Sequence, residues 1–259
     1  MTKQKGRKRR DEDRGALPDH GRTKSTDGPV WIWGSHAVMA ALANPKRSPL
    51  RLLATKNAVG RLGLDTAELV APRDIDACLP KGAVHQGVAL LAHPLAAWSL
   101  ADLIAARPKR LVVLDQVSDP QNLGAVFRSA AAFGVEGVVL QTRHTPPITG
   151  TVAKSAAGAV ETVPECRVVN VARAIDDLGD AGYTTIGLAG AATKPLVSAL
   201  GEDTSIVFVL GAEGAGLRPA VAKACATLAK IPIAPGMESL NLSNAAAICF
   251  YEAARGRIC

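Results

Sequence analysis

Short unbroken apolar runs, separated by polar turns and helix-spaced stretches, set the rhythm of this chain. Val30-Trp31-Ile32-Trp33 runs into Gly34 and reads as a strand and turn. Ser35 is positioned to cap a helix over His36 to Ala43, which Asn44-Pro45 stops. Leu50 to Ala54 and Val88 to Ala92 predict two more strands. Between them lie two short amphipathic pieces, Thr66 to Val70 and Asp74 to Leu79. His93-Pro94 closes this module. Trp98 to Ala106 predicts a connecting helix, and Arg107 to Arg110 a boundary.

Beyond that boundary the strands lose their alternation. Leu111 to Leu114, Gly137 to Leu140 and Ser205 to Leu210 are continuous apolar runs, as in strands buried on both faces of a parallel sheet; Thr184 to Leu188 predicts another strand. A helix is predicted over Leu123 to Phe133, with Asp119-Pro120 as cap and first turn and Gly134 as stop. Further helices are predicted over Val152 to Val160, over Val168 to Leu178, and from Pro219 to about Leu228. Ile231 to Ala234 reads as a last short strand. A turn at Pro235-Gly236, a polar run from Glu238 to Asn244 and an Ala-rich helix capped by Ser243 follow it. Strands alternating with helices predict an α/β fold with a mostly parallel sheet. Ligands of such sheets bind beyond the C-terminal ends of the strands, where the polar turns after Leu114, Leu210 and Ile233 are expected.

Composition narrows the class. The chain is 48% hydrophobic but only 3% aromatic, so its core must be aliphatic and Ala-rich. Residues 1–28 are polar, charged and without periodicity, and are expected to form a disordered basic tail. The net charge of +7 is compatible with a polyanionic partner. Cys78, Cys166, Cys225, Cys249 and Cys259 are odd in number and hold no CxxC pair, which argues against a disulfide framework or a zinc site and suits a reducing cytosol. No apolar run approaches the roughly 18 residues of a membrane span, and no apolar segment of a signal peptide follows the basic start. No membrane and no metal are expected.

Three stretches carry candidate chemistry. The loop Gly211 to Gly216 has the spacing GxxGxG. That matches neither the dinucleotide fingerprint nor the P-loop. A tight loop needing positive φ explains the glycines alone, but Glu213 between them is a candidate ligand-facing carboxylate. Arg128 interrupts an otherwise apolar helix, AVFRSAAAF, where a surface position explains it equally well. Asn122 suits a helix cap, as do Ser239, Asn241 and Ser243, yet three such residues in the five from 239 to 243 exceed what capping requires.

Together these stretches resemble a family. Asn122-Leu123-Gly124-Ala125-Val126-Phe127-Arg128-Ser129-Ala130, Leu210 to Leu217, and Ile231-Pro232-Ile233 through Ser239-Leu240-Asn241-Leu242-Ser243 closely resemble the three signature motifs of the SpoU (TrmH-like) RNA ribose 2′-O-methyltransferases of the SPOUT superfamily. Lys154 to Glu161, Trp33 to Val38 and His85-Gln86-Gly87 also look like family segments, so the likeness runs from about residue 30 to the C-terminus. Asn244 and Glu238 depart from the usual pattern.

The resemblance implies a trefoil-knotted parallel-sheet methyltransferase domain over residues 111–259. A small α/β domain over residues 29–94, similar to the L30e-type RNA-binding domain of the subgroup that methylates a guanosine of 23S rRNA, precedes it, and residues 95–110 form a linker. The knot rests wholly on the likeness, since topology rules argue against knots. The resemblance further implies a cytoplasmic homodimer, an RNA substrate and S-adenosylmethionine as cofactor. Asn122, Arg128, Glu213, Ser239 and Asn241 match catalytic positions; Leu188, Gly211, Ile231 and Leu240 match the cofactor cradle. Arg128 matches an arginine often assigned as general base, but deprotonating arginine near neutral pH costs roughly 8 kcal/mol. A charged Arg128 that grips a phosphate and stabilises developing negative charge is therefore expected. Glu213 is expected to orient Arg128 or the ribose, and Lys46, Arg47, Arg51 and Arg143 to meet RNA phosphates. The same chemistry on tRNA or another rRNA site, and a non-catalytic RNA-binding protein, remain the alternatives.

Overall fold

The apolar runs become the strands of two sheets in a computed structural model, which describes residues 28–201 and 205–255. The expected tail thus lies, apart from Gly28, outside the described residues. The first module contains β1 (Val30–Trp33), α1 (Ser35–Ala43), β2 (Pro49–Ala54), α2 (Lys56–Leu62), β3 (Glu68–Leu69), α3 (Pro72–Asp76) and β4 (Val88–Ala92). Its sheet has the order β1-β4-β2-β3, with β4 antiparallel to both neighbours and β3 parallel to β2. Ser35 is not the cap of α1. Gly34 holds that position with φ 89, because glycine reaches the conformation without steric cost, and Ser35 is the first helical residue. Helix α2 was not foreseen, although its signals were local: the Thr55 hydroxyl accepts from the Ala58 N–H, and Gly63 ends the helix in left-handed geometry.

The joining segment contains α4 (Leu100–Ala105), capped by Ser99. Trp98, expected to be helical, instead forms a parallel bridge to Cys166. The second sheet is all parallel and has six strands in the order β10-β8-β9-β5-β6-β7. Its elements in chain order are β5 (Arg110–Leu114), α5 (Pro120–Ala132), β6 (Val138–Gln141), α6 (Gly150–Ala156), β7 (Glu165–Val168), α7 (Val171–Asp180), β8 (Thr184–Leu188), α8 (Leu196–Ala199), β9 (Ile206–Leu210), α9 (Pro219–Ala224), β10 (Thr227–Ala229) and α10 (Leu242–Ala254).

Several boundaries differ from expectation. The helix over Val152 to Val160 stops at Ala156, because Ala157 and Gly158 both turn left-handed (φ 51 and 97) before a 3-10 turn at Ala159–Glu161. A Cβ on Gly158 would run into Ala40, so this break lets α1 pack closely. Val168 ends a strand, and the helix begins only after the Asn170 cap. The helix after Pro219 ends at Ala224, and β10 takes the residues expected to extend it. Ile231 to Ala234 is not a strand: Pro232 has no N–H to give a ladder, and the chain from 231 to 240 is irregular.

Successive residues of the central strands feed two cores. Val112, Leu114, Phe208 and Leu210 join a cluster with α5, α6 and α10. Leu111, Val113, Val207 and Val209 join another with α4, α7 and α9. The first cluster continues into the first module through Ile32, Val38 and Leu90. A buried ion pair crosses the same boundary. Arg47 and Glu161 pair through Nη2 and Oε1, with side chains 3% and 2% exposed. Arg47 Nη1 donates to the His93 carbonyl at 2.9 Å, and Asn44 Nδ2 to Glu161 Oε2 at 2.9 Å. Arg47 is therefore committed to this contact and unavailable to RNA. Arg51, also expected at RNA, pairs on the surface with Glu68.

Candidate active site

Strands β5 and β9 lie side by side, and the chain leaves them toward opposite faces: β5 into α5 on one, β9 into α9 on the other. Such a divergence leaves a crevice beyond the strand ends, the usual ligand position in an open α/β sheet. Three polar side chains meet there from segments far apart in sequence. Asn122 Nδ2 donates to Glu213 Oε1 at 2.9 Å. Asn241 Nδ2 donates to the same oxygen at 2.6 Å and to Asn122 Oδ1 at 3.0 Å. The Leu242 N–H, at the mouth of α10, also donates to Glu213 Oε1 at 3.2 Å. A carboxylate at a helix N-terminus is favoured by the free N–H groups and the helix dipole.

Local sequence explains each placement. Asp119 caps α5, accepting from the Gln121 and Asn122 N–H groups, with Pro120 in the first turn. That sets Asn122 on the first turn, facing the crevice. Glu213 rides a closed loop in which the Ala212 and Gly216 backbones bond each other in both directions. A Cβ on Gly211 would fall inside the Gly216 carbonyl, so only glycine fits there. Asn241, not Ser243, caps α10: its Oδ1 accepts from the Ser243 and Asn244 N–H groups, and the Ser243 hydroxyl donates to it as well.

Two members that sequence reasoning missed hold the loops in register. Asp115, directly after β5, is fully buried and accepts from Arg218 Nε and Nη2, the shortest contact being 2.6 Å. The Asp115 hydrogen bond raises the Arg218 pKa above its ordinary value. The Asp115 N–H also donates to the Leu210 carbonyl at 2.8 Å. The available signal was an aspartate directly after a fully apolar strand. Lysine keeps the charge but not the planar fork, so Arg218→Lys is expected to cost about 1.5 kcal/mol. Denaturant unfolding of the variant measures that loss.

The remaining candidates are less gathered. Arg128 is exposed on α5, and the hydrogen bonds of Glu213 go to Asn122, Asn241 and Leu242 rather than to it. The expected Glu213–Arg128 contact is therefore replaced by an amide-lined one. Ser239 is exposed and stands outside the three-residue cluster. Leu188 and Ile231 are half-buried and pack against the same core, near the edge where Leu188 lies beside Ala229. Leu240 is half-buried in the irregular stretch before the α10 cap. Burial pushes the Cys166, Cys225 and Cys249 thiols up to about 12, which disfavours the thiolate form that a nucleophile needs. Among the described residues no cluster of His, Cys, Asp or Glu could hold a metal ion, and no helix is long and apolar enough to cross a membrane.

Cavity size and chemistry do not coincide. The hollow at the cluster, lined by Gln116, Asp119, Asn122, Ala212, Glu213 and Leu242, is about 120 Å³. A cavity of about 810 Å³ lies elsewhere, lined by Asn44, Lys46 and Arg47 of the first module and, beyond the 94–98 segment, by residues of the second such as Thr145 and Arg167. We take the smaller as the active-site candidate, because polar groups from three segments converge there at a topological switch.

All three motif stretches lie inside the region that matches a known family. Residues 109–251 match the model of the SpoU rRNA Methylase family. The 23S rRNA (guanosine-2′-O-)-methyltransferase RlmB of Vibrio cholerae is 38% identical over 242 residues, covering 88% of this chain and 97% of that protein. An RlmB of Burkholderia sp. is 42% identical over 180 residues, covering 67% and 71%. Among solved structures, the SpoU methyltransferase AviRb from Streptomyces viridochromogenes superposes with a TM-score of 0.74 at 25% identity, covering 89% and 90%. An rRNA methyltransferase from Sinorhizobium meliloti gives 0.75 at 25% identity, covering 89% and 88%. A family model matched across all three motif stretches, and a relative 38% identical over almost its whole length, show that this chain belongs to the SpoU rRNA methylase family.

Proposed function

We propose that this protein methylates the ribose 2′-hydroxyl of a guanosine of 23S rRNA, with S-adenosylmethionine as methyl donor. The observation that carries the reading is the Asn122–Glu213–Asn241 cluster at the switch between β5 and β9. Its support is the likeness to the RlmB proteins over most of the chain. The cofactor supplies a methyl group already activated on a sulfonium.

The residues at the sheet edge fit such a ligand. Leu188 and Ile231 offer half-buried apolar walls, and the irregular chain from 231 to 240 leaves backbone donors and acceptors free of any ladder. Gly211 lets the loop after β9 close on its own backbone, bringing main chain rather than side chain to the rim. The hydrogen bonds that Glu213 accepts in the cluster all go to Oε1, so its second carboxylate oxygen can accept from a ribose hydroxyl. Asn122 and Asn241 fix the orientation of that carboxylate. Arg128, exposed and charged, grips a substrate phosphate and stabilises negative charge as the hydroxyl loses its proton. Ser239 positions the ribose from the irregular chain.

The same proposal includes the division at residues 29–94 and 111–259 joined by 95–110, an L30e-like RNA-binding role for the first, and a trefoil knot in the second. Supporting the knot, α10 returns to pack on α5 while its first turn is held by Glu213 from the loop after β9. A cytoplasmic homodimer is included too. Its support is the apolar outer face of α10, where Ile248 is 37% and Tyr251 50% exposed.

Incubating the purified protein with labelled S-adenosylmethionine and 23S rRNA, then mapping 2′-O-methyl positions, tests the reading. One labelled guanosine is expected. Because RNA phosphates are met by basic side chains, the apparent affinity is expected to fall steeply with salt. No label in any RNA, or label on a base, overturns the proposal.

A further inference from the structure

Two cations from different modules meet at one turn without a counter-charge. Arg61 lies in the last turn of α2, and Lys154 on α6. Both reach the turn before β4. Lys154 Nζ donates to Gln86 Oε1 at 3.0 Å. Arg61 Nη2 donates to the Gln86 carbonyl at 2.9 Å and to Ser35 Oγ at 3.1 Å. The Ser35 N–H donates to Gln86 Oε1 as well, at 2.9 Å. Every acceptor in this group is neutral. Neither cation forms an ion pair among the described residues, whereas Arg47, Arg51, Arg167 and Arg218 each have a carboxylate.

The backbone is shaped around these cations. Gly34 has φ 89, and a Cβ on it would lie 2.4 Å from Lys154 Nζ, so glycine lets the lysine cross the chain there. Gln86 holds a left-handed φ of 58, uncommon for a residue with a side chain. Burial lowers the Lys154 pKa: the fold draws the ammonium partly out of water and supplies no carboxylate in return. A second positive charge is set against the same glutamine. Helix α1 opens here with no side-chain cap, and its free N–H groups add to the positive potential. Donors are left over, since an ammonium has three and a guanidinium five, and these bonds use one nitrogen of each.

Like charges gathered on neutral acceptors, with donors to spare, fit an anion. Their position selects which one. Ser155 follows Lys154 and packs on Gly124, where a Cβ would lie 2.5 Å from that of Ser155. Asn122 of the active-site cluster stands two residues before Gly124 on α5, and Arg128 one turn after it. The lysine is thus anchored on the helix that carries the residues assigned to the ribose and its phosphate. A nucleic-acid strand carries one phosphate per nucleotide, so a strand with its ribose at the cluster has further phosphates for this flank.

We infer that Arg61 and Lys154 clamp a backbone phosphate of the substrate RNA where the two modules meet, and so fix the approach of the strand to the Asn122–Glu213–Asn241 cluster. This rests on the RNA reading above and deepens it, because it gives each module one half of a single phosphate contact.

Gln86→Glu in the full-length protein is the sharpest test. It keeps the shape of the side chain and an acceptor for the Ser35 N–H, but sets a carboxylate between the cations. With a 23S rRNA transcript as probe, KM for RNA and the RNA Kd are expected to rise about tenfold. The slope of log affinity against log salt is expected to become shallower by about 1.4–1.8, the value of two phosphate-neutralising charges. Lys154→Met is expected to flatten it by roughly half as much. Neither variant alters kcat or cofactor affinity, and the melting temperature of Gln86→Glu does not fall. Ala181→Glu, exposed at the end of α7 and beyond the other core, adds the same charge and is expected to leave KM unchanged. If the group only ties the modules together, the new carboxylate tightens the tie and RNA binding is untouched. Unchanged KM and slope in Gln86→Glu therefore overturn the inference, as does an equal loss in Ala181→Glu. Competition by polyglutamate that matches an oligoribonucleotide and disappears in Gln86→Glu assigns the clamp to an acidic protein instead, which also overturns it. If no RNA is methylated but the transcript still binds with a slope that Gln86→Glu flattens, the functional reading fails and the clamp stands.

Discussion

Glu161→Ala is expected to destabilise the protein by about 3–5 kcal/mol, the usual cost of removing one partner of a buried ion pair. The variant leaves the Arg47 guanidinium in a site 3% exposed, with the His93 carbonyl as its one remaining strong acceptor. It also strips Asn44 Nδ2 of its best acceptor. Because the pair spans the boundary between the two sheets, the loss is expected as a fall in melting temperature on the order of 10 °C. Glu68→Ala is the internal control. It breaks an Arg–Glu pair of the same bidentate geometry on the surface, where both side chains are about half exposed, and is expected to change little. Equal melting temperatures for the two variants would sink the assignment. Replacing Arg47 and Glu161 together by methionine is expected to recover most of the loss, since no unpaired charge is left behind.

Asn241→Asp is expected to slow methyl transfer on the order of 100-fold, the scale on which small misplacement of reacting groups acts. The amide of Asn241 works at both ends. Its oxygen caps α10 through Ser243 and Asn244, while its nitrogen donates to Glu213 and Asn122. Aspartate caps a helix as well as asparagine does, so α10 keeps its start. The substituted oxygen, however, faces Glu213 Oε1 where a donor stood 2.6 Å away. Two carboxylates cannot share that distance unless one holds a proton, so the rate is expected to recover partly as pH falls. Asn241→Ala loses the cap as well, about 1 kcal/mol of stability, with a rate loss that pH does not repair. Normal turnover by Asn241→Asp at neutral pH would show that the cluster does not orient Glu213 for the reaction.

Local pattern carried the central architecture. The runs Leu111 to Leu114 and Ile206 to Leu210 are apolar at every position because both faces are covered, and they became adjacent buried strands. The pattern failed at the sheet edges. Glu165–Val168 and Thr227–Ala229 are short strands of mixed character, each laddered to a single strand, and neighbours rather than intrinsic preference set their conformation. Ile231 to Ala234 misled in the opposite direction: apolar in composition, but closed to a ladder by Pro232.

The sequence by itself determined the α/β class, the apolar strands and the identity of Asn122, Glu213 and Asn241 as candidates, because side-chain period and motif spacing are properties of the chain alone. Only the tertiary structure decided that one oxygen of Glu213 gathers both amides, across 91 and 28 residues of chain. It likewise turned Asn241 into the cap and moved Arg47 from a surface charge to a buried clasp. It also opened a cavity between modules that no local stretch encodes. Hydrogen bonds and buried charge pairs form between whatever the fold brings within about 3 Å, and that proximity is written in the packing of both sheets together.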